Sequence, residues 1–172
     1  KEVAEYWESV ILINDWQKKR ISRIIVEKLY GNLSDKKISI FGFSFKSNTN
    51  DTRESSAISI CRDLLEEGCR LSIYDPRVTK EQIDMELGIN NKNANLIDSF
   101  DNRWEKNTSI YESTLNSDAI LLLTDWDEFY KMDLKKLSEN MTIPCWIFDT
   151  RNIINPKEAK SLGFNLWKLG NG

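Results

Sequence analysis

The chain has 172 residues, of which 40% are hydrophobic and 30% charged, a composition and length typical of about one globular domain. Its formal net charge is -3, so it lacks the basic surface typical of proteins that bind nucleic acid. No apolar run approaches the roughly 18 residues that cross a bilayer, and the first residues show no signal-peptide pattern. We therefore expect neither nucleic-acid nor membrane partners.

The histidine and cysteine content narrows the possible chemistry. The chain has no histidine, which excludes Ser-His-Asp catalysis, Cys-His pairs and histidine-ligated metal sites within it. Its three cysteines, Cys61, Cys69 and Cys145, form no Cys-x-x-Cys pair, so neither a disulfide framework nor a zinc site is indicated. Each is predicted to be a buried structural residue. Reduced thiols are typical of cytoplasmic proteins, and we expect that localisation.

The first thirty residues predict one long helix. Apolar residues recur there at spacings of mostly three and four, and neither Gly nor Pro interrupts them before Gly31. Such a helix would be about 45 Å long. Because it carries Tyr6, Trp7 and Trp16, two roles are open: a core helix of this domain, or a helix that connects domains or pairs with a second copy.

Strands and helices alternate after Gly31. Strands are predicted at 37–42, 70–74, 118–124, 145–149 and 164–169, and helices at 54–68, 79–87, 111–115, 132–141 and 156–162. Thr79 is the predicted N-cap of the second of these helices, and Gln82 completes a capping box. The Asn-rich stretch 89–107 is predicted to be mostly loop. Because the strands are unbroken apolar runs, the sequence predicts an α/β protein with a mostly parallel sheet and helices on both faces.

The first loop of interest follows the strand that ends at Gly42. Ligands of open α/β sheets bind at the carboxyl ends of the strands, where this loop lies. Lys46, Arg53 and the start of the next helix are suited to a phosphate or carboxylate. The loop matches neither Gly-x-Gly-x-x-Gly nor a Walker motif. A local ion pair between Asp51 and Arg53 is the alternative.

The second loop, 124–129, is acidic. Asp125 and Asp127 could serve a metal or acid–base chemistry, but we expect them to cap the short helix that follows. Trp126 and Phe129 are expected to pack in the core.

The third loop follows the strand that ends at Asp149. It brings Arg151 and Asn152 to the same edge of the sheet as Lys46, and we expect the two cations at adjacent strand ends. Two cations favour an anionic ligand more than one does. A surface salt bridge of Arg151 is the alternative.

These motifs resemble the nucleotide-sugar dehydrogenases. The pattern Phe45-Lys46-x-x-Thr49-x-Asp51-x-Arg53-Glu54-Ser55 resembles their loop signature. The segments 66–68, 73–76, 124–129 and 147–152 are similar to the family in the same order, and the first helix is similar to its central helix. The resemblance covers nearly the whole chain. The Thr-Asp-Trp sequence at 124–126 favours the branch that oxidises UDP-glucose.

The resemblance implies an oxidoreductase that converts UDP-glucose to UDP-glucuronate with two NAD molecules, through a covalent thioester on a cysteine. It implies that residues 1–30 are the central connecting and dimerisation helix, which would form a homo-oligomer. Residues 31–172 would be the C-terminal, Rossmann-like UDP-sugar-binding domain. By the same resemblance Phe45, Lys46 and Arg151 would contact the UDP-sugar. Arg53 would reach toward the NAD cofactor, which a separate N-terminal domain mainly binds.

The departures from the family bear on activity. The family's catalytic cysteine lies in a Gly-Phe-Gly-Gly-x-Cys segment before the central helix, and its NAD fingerprint also lies upstream; neither occurs here. We therefore expect a C-terminal part with no catalytic and no metal-binding residue, inactive by itself. The alternatives are a GDP-mannose or UDP-N-acetylmannosamine dehydrogenase, or a non-catalytic dimerisation or interaction module.

Overall fold

The protein is an α/β structure built on one parallel sheet. The computed structural model describes residues 2–88 and 102–170. Six strands pair in the order β3-β2-β1-β4-β5-β6, and every neighbouring pair is parallel. The elements are α1 (Glu2–Lys28), β1 (Lys37–Phe41), α2 (Ser56–Glu66), β2 (Arg70–Tyr74), α3 (Lys80–Leu87), β3 (Trp104–Lys106), α4 (Ile110–Ser113), β4 (Ala119–Leu122), a 3-10 helix (Asp127–Lys131), α5 (Leu134–Asn140), β5 (Trp146–Asp149), α6 (Pro156–Ser161) and β6 (Asn165–Lys168). The predicted parallel α/β sheet is confirmed.

One strand escaped prediction. β3 (Trp104–Lys106) lies in the stretch 89–107 that was predicted to be mostly loop. Three residues at the edge of a sheet, only one of them buried, carry too little periodicity to be recognised. The rest of that stretch, 89–101, lies outside the described residues.

The sheet separates two hydrophobic cores. Alternate strand residues point to opposite faces, so Ile38 and Ile40 pack with α2 and α3, whereas Phe41 and Ile120 pack with α5 and α6. Each such side chain contributes about 1.5–3 kcal/mol when it is fully buried. Because the helices beyond β1 and β4 leave toward opposite faces, a crevice opens between the carboxyl ends of these two strands.

Helix α1 contributes to the first core through its C-terminal part. Ile25, in the last turn of the helix, and Leu29, just after its end, are buried there, and Ser22 Oγ donates to Asp63 Oδ2 of α2 at 2.8 Å. Further toward the N-terminus, Leu12, Ile13 and Trp16 are 68%, 58% and 54% exposed. Across the described ranges no helix combines the length and apolarity that a bilayer requires.

The carboxyl ends of β1 and β4 lie so close together that position 42 has no room for a side chain. Gly42 has φ +90°, and a Cβ built there would lie 2.4 Å from the Thr124 Cβ and 2.9 Å from the Thr124 amide nitrogen. The Thr124 hydroxyl donates to the Ser44 carbonyl oxygen at 2.9 Å, which ties the two loops together. Glycine at position 42 is therefore a requirement of the crevice and not of strand β1.

We predict that Gly42→Ala lowers the free energy of unfolding by about 3 kcal/mol, because backbone strain and overpacking against Thr124 add. Gly163→Ala is the matched control, since φ is +84° but no atom lies within 4 Å of the added Cβ. It should cost about 1 kcal/mol from backbone strain alone. Urea unfolding measures both, and equal losses would contradict the close approach at Gly42.

Candidate functional site

The loops at the carboxyl edge of the sheet converge on one buried carboxylate. Asp75, directly after β2, is 1% exposed. Its Oδ2 accepts the amide N–H groups of Phe43 and Ser44 at 2.8 and 3.0 Å and the Trp126 indole N–H at 3.3 Å. Asp75 therefore joins the loops that follow β1, β2 and β4.

The second Asp75 oxygen organises its own turn. Oδ1 accepts the amide N–H groups of Arg77 and Val78, each at 2.9 Å. Five N–H groups thus surround one carboxylate, which compensates the loss of its hydration. Sequence reasoning did not find this role. The available signal was an aspartate directly after the predicted strand 70–74 and followed by Pro76.

Ser55 fixes the other end of the loop after β1. Its hydroxyl donates to the Phe43 carbonyl oxygen at 2.8 Å and accepts the amide N–H of Ala57 at 3.2 Å, as the N-cap of α2. The loop is therefore held at both ends, by Asp75 and by Ser55.

Phe45 and Lys46 lie between these anchors. The Phe45 amide donates to the Asp51 carbonyl oxygen at 2.8 Å, and the Ser44 hydroxyl donates to the Lys46 carbonyl oxygen at 2.9 Å. The Phe45 side chain is 51% exposed and Lys46 is exposed. Among the described residues the Lys46 ammonium has no salt-bridge partner within 4 Å. The backbone is fixed, and both side chains are available to a ligand.

Arg53 forms the local ion pair that the sequence left open. Its Nε and Nη2 donate to Asp51 Oδ1 and Oδ2 at 3.0 and 2.8 Å, although the Arg53 side chain is 85% exposed. These hydrogen bonds lower the pKa of Asp51 to about 2 and raise the pKa of Arg53. Arg53 also lines an open cleft of about 370 Å³ beside Ile58 and Glu86.

Arg151 reaches the same edge, with a correction to its position. The expectation of adjacent strands is wrong, because β4 lies between β1 and β5. The Arg151 side chain spans part of that gap, since its Nε donates to the Leu123 carbonyl oxygen, at the end of β4, at 2.6 Å.

A second buried carboxylate supports the Arg151 loop. Asp149 accepts the amide N–H groups of Arg151 and Ile154 at 3.0 and 2.8 Å and is fully buried. The Lys168 ammonium lies 3.9 Å from Asp149 Oδ2 and donates to the Ile154 carbonyl oxygen at 2.9 Å. The turn that carries Arg151 is thus held on the end of the sheet.

The acidic loop 124–129 behaves only partly as expected. The predicted capping by Asp125 and Asp127 is wrong: the 3-10 helix has Trp126 at its N-cap and no side-chain cap bond. Asp127 lies inside that helix, and both carboxylates are exposed. Trp126 and Phe129 are buried as predicted, because the Phe129 ring packs on Phe41 with centroids 5.4 Å apart.

The cysteines are buried, as predicted. All three are free, and burial raises the pKa of Cys69 to about 12. Burial also raises the pKa values of Cys61 and Cys145, so none resembles a reactive thiolate. Within residues 2–88 and 102–170 no group of acidic or cysteine side chains is arranged to hold a metal ion.

Known proteins resemble this chain along nearly its whole length. It is 39% identical over 180 residues to UDP-glucose 6-dehydrogenase 2 of Arabidopsis thaliana, with 98% of this chain and 37% of that protein covered. It is 40% identical over 173 residues to UDP-glucose 6-dehydrogenase of Drosophila melanogaster, with 98% and 35% covered. The chain spans about a third of the length of these relatives.

Solved structures share its Rossmann-like fold. The TM-score is 0.69 to UDP-D-ManNAc dehydrogenase from Pyrococcus horikoshii, at 23% identity, with 93% of this chain and 32% of that chain covered. It is 0.67 to a UDP-glucose dehydrogenase from Pyrobaculum islandicum, at 19% identity, with 94% and 31% covered. At these identities the likeness shows the fold alone.

The family is shown by the sequence between β1 and α6. Residues 39–156 match the description "UDP-glucose/GDP-mannose dehydrogenase family, UDP binding domain". The match includes the loops that Asp75 and Asp149 organise. The chain therefore belongs to the UDP-glucose/GDP-mannose dehydrogenase family.

Proposed function

We propose that the chain is the UDP-binding part of an NAD-dependent UDP-glucose 6-dehydrogenase, an oxidoreductase that forms UDP-glucuronate. The observation that carries the proposal is the loop after β1, whose backbone is fixed by Asp75 while Phe45 and Lys46 stay exposed. Arg151 lies at the same edge. The names of the relatives at 39–40% identity support UDP-glucose as the substrate.

The chain's part in the reaction is to bind and position the substrate. Lys46 and Arg151 offset the charge of a diphosphate, since an ammonium and a guanidinium both form strong charge-assisted hydrogen bonds with phosphate oxygens. Phe45 offers an apolar surface to the nucleotide or the sugar. A fixed backbone limits the entropy lost on binding and holds the sugar toward the reacting groups.

The chain has two parts with different proposed roles. Residues 1–30 form the connecting and dimerisation helix, and residues 31–172 form the UDP-sugar-binding domain. The exposed apolar side chains Leu12, Ile13 and Trp16 support contact between this helix and a second copy in a homo-oligomer. The same side chains support the second candidate function, a non-catalytic dimerisation module.

Within the described part of the chain, the loop after β1 does not form an NAD cradle. A dinucleotide pyrophosphate needs several glycines after the first strand, but here Gly42 is followed by the buried side chains of Phe43 and Ser44. Arg53 is the residue proposed to reach the cofactor, which would bind mainly to another domain. The three buried cysteines offer no nucleophile, so the chain by itself is proposed to be inactive.

The alternative substrates are GDP-mannose and UDP-N-acetylmannosamine. The family description names both UDP-glucose and GDP-mannose dehydrogenases, and the fold is shared with a UDP-D-ManNAc dehydrogenase. Competition between UDP and GDP for the chain separates the guanine branch from the uracil branch.

We predict that isothermal titration calorimetry detects UDP binding and that GDP binds more weakly. Lys46→Ala should raise the UDP Kd about tenfold, since a charge-assisted hydrogen bond contributes about 1.5 kcal/mol. Lys160→Ala is the control, because Lys160 lies in the last turn of α6. That turn lies toward the opposite edge of the sheet. UDP binding that Lys46→Ala leaves unchanged would contradict the proposed site.

We predict that Arg53→Gln raises the pKa of Asp51 from about 2 toward its ordinary 3.8, because the guanidinium no longer stabilises the carboxylate. Since the folded-state pKa is lowered, the pair is complete above pH 3.8 and is lost as the pH falls through about 2. Carbon-detected NMR titration of Asp51 measures this shift. Arg62→Gln is the control and should leave the Asp51 pKa unchanged; an equal shift in both variants would refute the pairing.

A further inference from the structure

The outer side of the β1–α2 loop is held by two side chains, Arg77 and Gln82, in contacts that no sequence motif indicated. The carbonyl oxygen of Asn48 accepts a hydrogen bond from Arg77 Nη1 at 3.0 Å, and that of Asn50 accepts one from Gln82 Nε2 at 3.1 Å. Both donors belong to the segment that follows β2. The tip of the loop is therefore tied to this segment by two hydrogen bonds from side chains to backbone carbonyl oxygens.

Arg77 is itself well anchored. Its amide donates to Asp75 Oδ1 at 2.9 Å, and its guanidinium carbon lies 5.8 Å from the centre of the Trp126 ring. Trp126 in turn donates to Asp75. Arg77 thus connects the buried Asp75 carboxylate with Asn48, which has φ +63° at the tip of the loop.

Gln82 uses the two ends of its amide for different purposes. Its side-chain Oε1 accepts the backbone N–H of Thr79 at 3.0 Å, and the Thr79 hydroxyl accepts the backbone N–H of Gln82 at 3.3 Å. This is the capping box of α3, which the sequence predicted and the structure confirms. The other end, Nε2, is left free to hold Asn50.

We propose that Arg77 and Gln82 form a clamp that positions Phe45 and Lys46 for the nucleotide. The clamp holds the loop through the carbonyl oxygens of Asn48 and Asn50, and neither side chain needs to contact the ligand. The inference rests on the proposed function. Between the clamp and the Asp75 anchor, the bond from the Phe45 amide to Asp51 closes the loop. Without the clamp the loop samples more conformations, and ordering it weakens UDP binding.

The sharpest test separates the two ends of the Gln82 amide. Gln82→Glu keeps the oxygen that caps α3 and removes the Nε2 donor to Asn50. Gln82→Ala removes both functions but adds no charge. We expect both variants to raise the UDP Kd about two- to tenfold, the range of one lost hydrogen bond. Only Gln82→Ala should lower the melting temperature. A Kd that rises in Gln82→Glu alone would trace the effect to the added charge and overturn the clamp.

Arg77 gives an independent test. Arg77→Met should raise the UDP Kd to a similar extent. Arg77→Lys keeps the positive charge but removes the planar guanidinium. Only the guanidinium can donate to the Asn48 carbonyl oxygen and lie over the Trp126 ring at the same time. If it restores full affinity, Arg77 acts through its charge and the clamp is refuted; if affinity stays reduced, the clamp is supported.

Amide hydrogen exchange without nucleotide separates a failure of the clamp from a failure of the proposed function. In Gln82→Glu and Arg77→Lys the Phe45 amide should exchange faster, while amides of β1 and β4 stay unchanged. Unchanged exchange at Phe45 would overturn the clamp, whatever the chain binds. If the unsubstituted chain does not bind UDP but Phe45 exchange rises in the variants, the loop is clamped and the proposed ligand is wrong.

Discussion

The buried Asp75 carboxylate is the interaction on which the carboxyl edge of this sheet depends. A charge removed from water costs several kcal/mol unless hydrogen bonds replace its hydration. Here the replacement comes from five N–H groups, and they belong to segments far apart in sequence, Phe43 and Ser44, Arg77 and Val78, and Trp126. Because the compensation needs all of these segments in place, folding the core and assembling the loops become one event.

The same arrangement recurs at β5. Asp149 is fully buried and holds the turn that carries Arg151, with Lys168 as its charged neighbour. In both places the aspartate terminates or directly follows a strand and fixes backbone, while the cations at this edge, Lys46 and Arg151, are left exposed. A rigid scaffold that presents exposed side chains is a common way to build a binding site. Under the proposed function, this scaffold replaces the glycine-rich loop that other open α/β sheets use to bind a diphosphate.

Much of the architecture could be predicted from the sequence, because its signals are local. Mainly apolar runs, 38–41 and the unbroken Ala119–Leu122, predicted the buried strands, and Thr79 with Gln82 predicted the start of α3. The rule that ligands bind at the carboxyl ends of parallel strands then placed Lys46 and Arg151 at one edge. Their separation by β4 could not be predicted, since strand order depends on long-range packing.

The parts that escaped prediction depend on contacts between distant residues. Asp75 and Trp126 are 51 positions apart, and Arg77 and Asn48 are 29 apart. In the sequence around Asp75 and Arg77, no local pattern distinguishes these residues from those of an ordinary surface turn. Asp125 was expected to cap a helix because its position suited that role, but the 3-10 helix there begins without a side-chain cap. β3 is too short to carry a signal.

The free energy of unfolding of Asp75→Asn tests the central role of this carboxylate most directly. Asparagine has nearly the same size, but one carboxylate oxygen becomes an NH2 group that faces N–H donors. The negative charge that these donors stabilise is also removed. We expect a loss of about 3 kcal/mol or more in urea unfolding, with faster exchange of the Phe43 and Ser44 amides. Asp125→Asn, at an exposed position of a neighbouring loop, should change stability by less than about 0.5 kcal/mol. If Asp75→Asn costs no more than this control and leaves both amides protected, the loops are assembled by something other than Asp75.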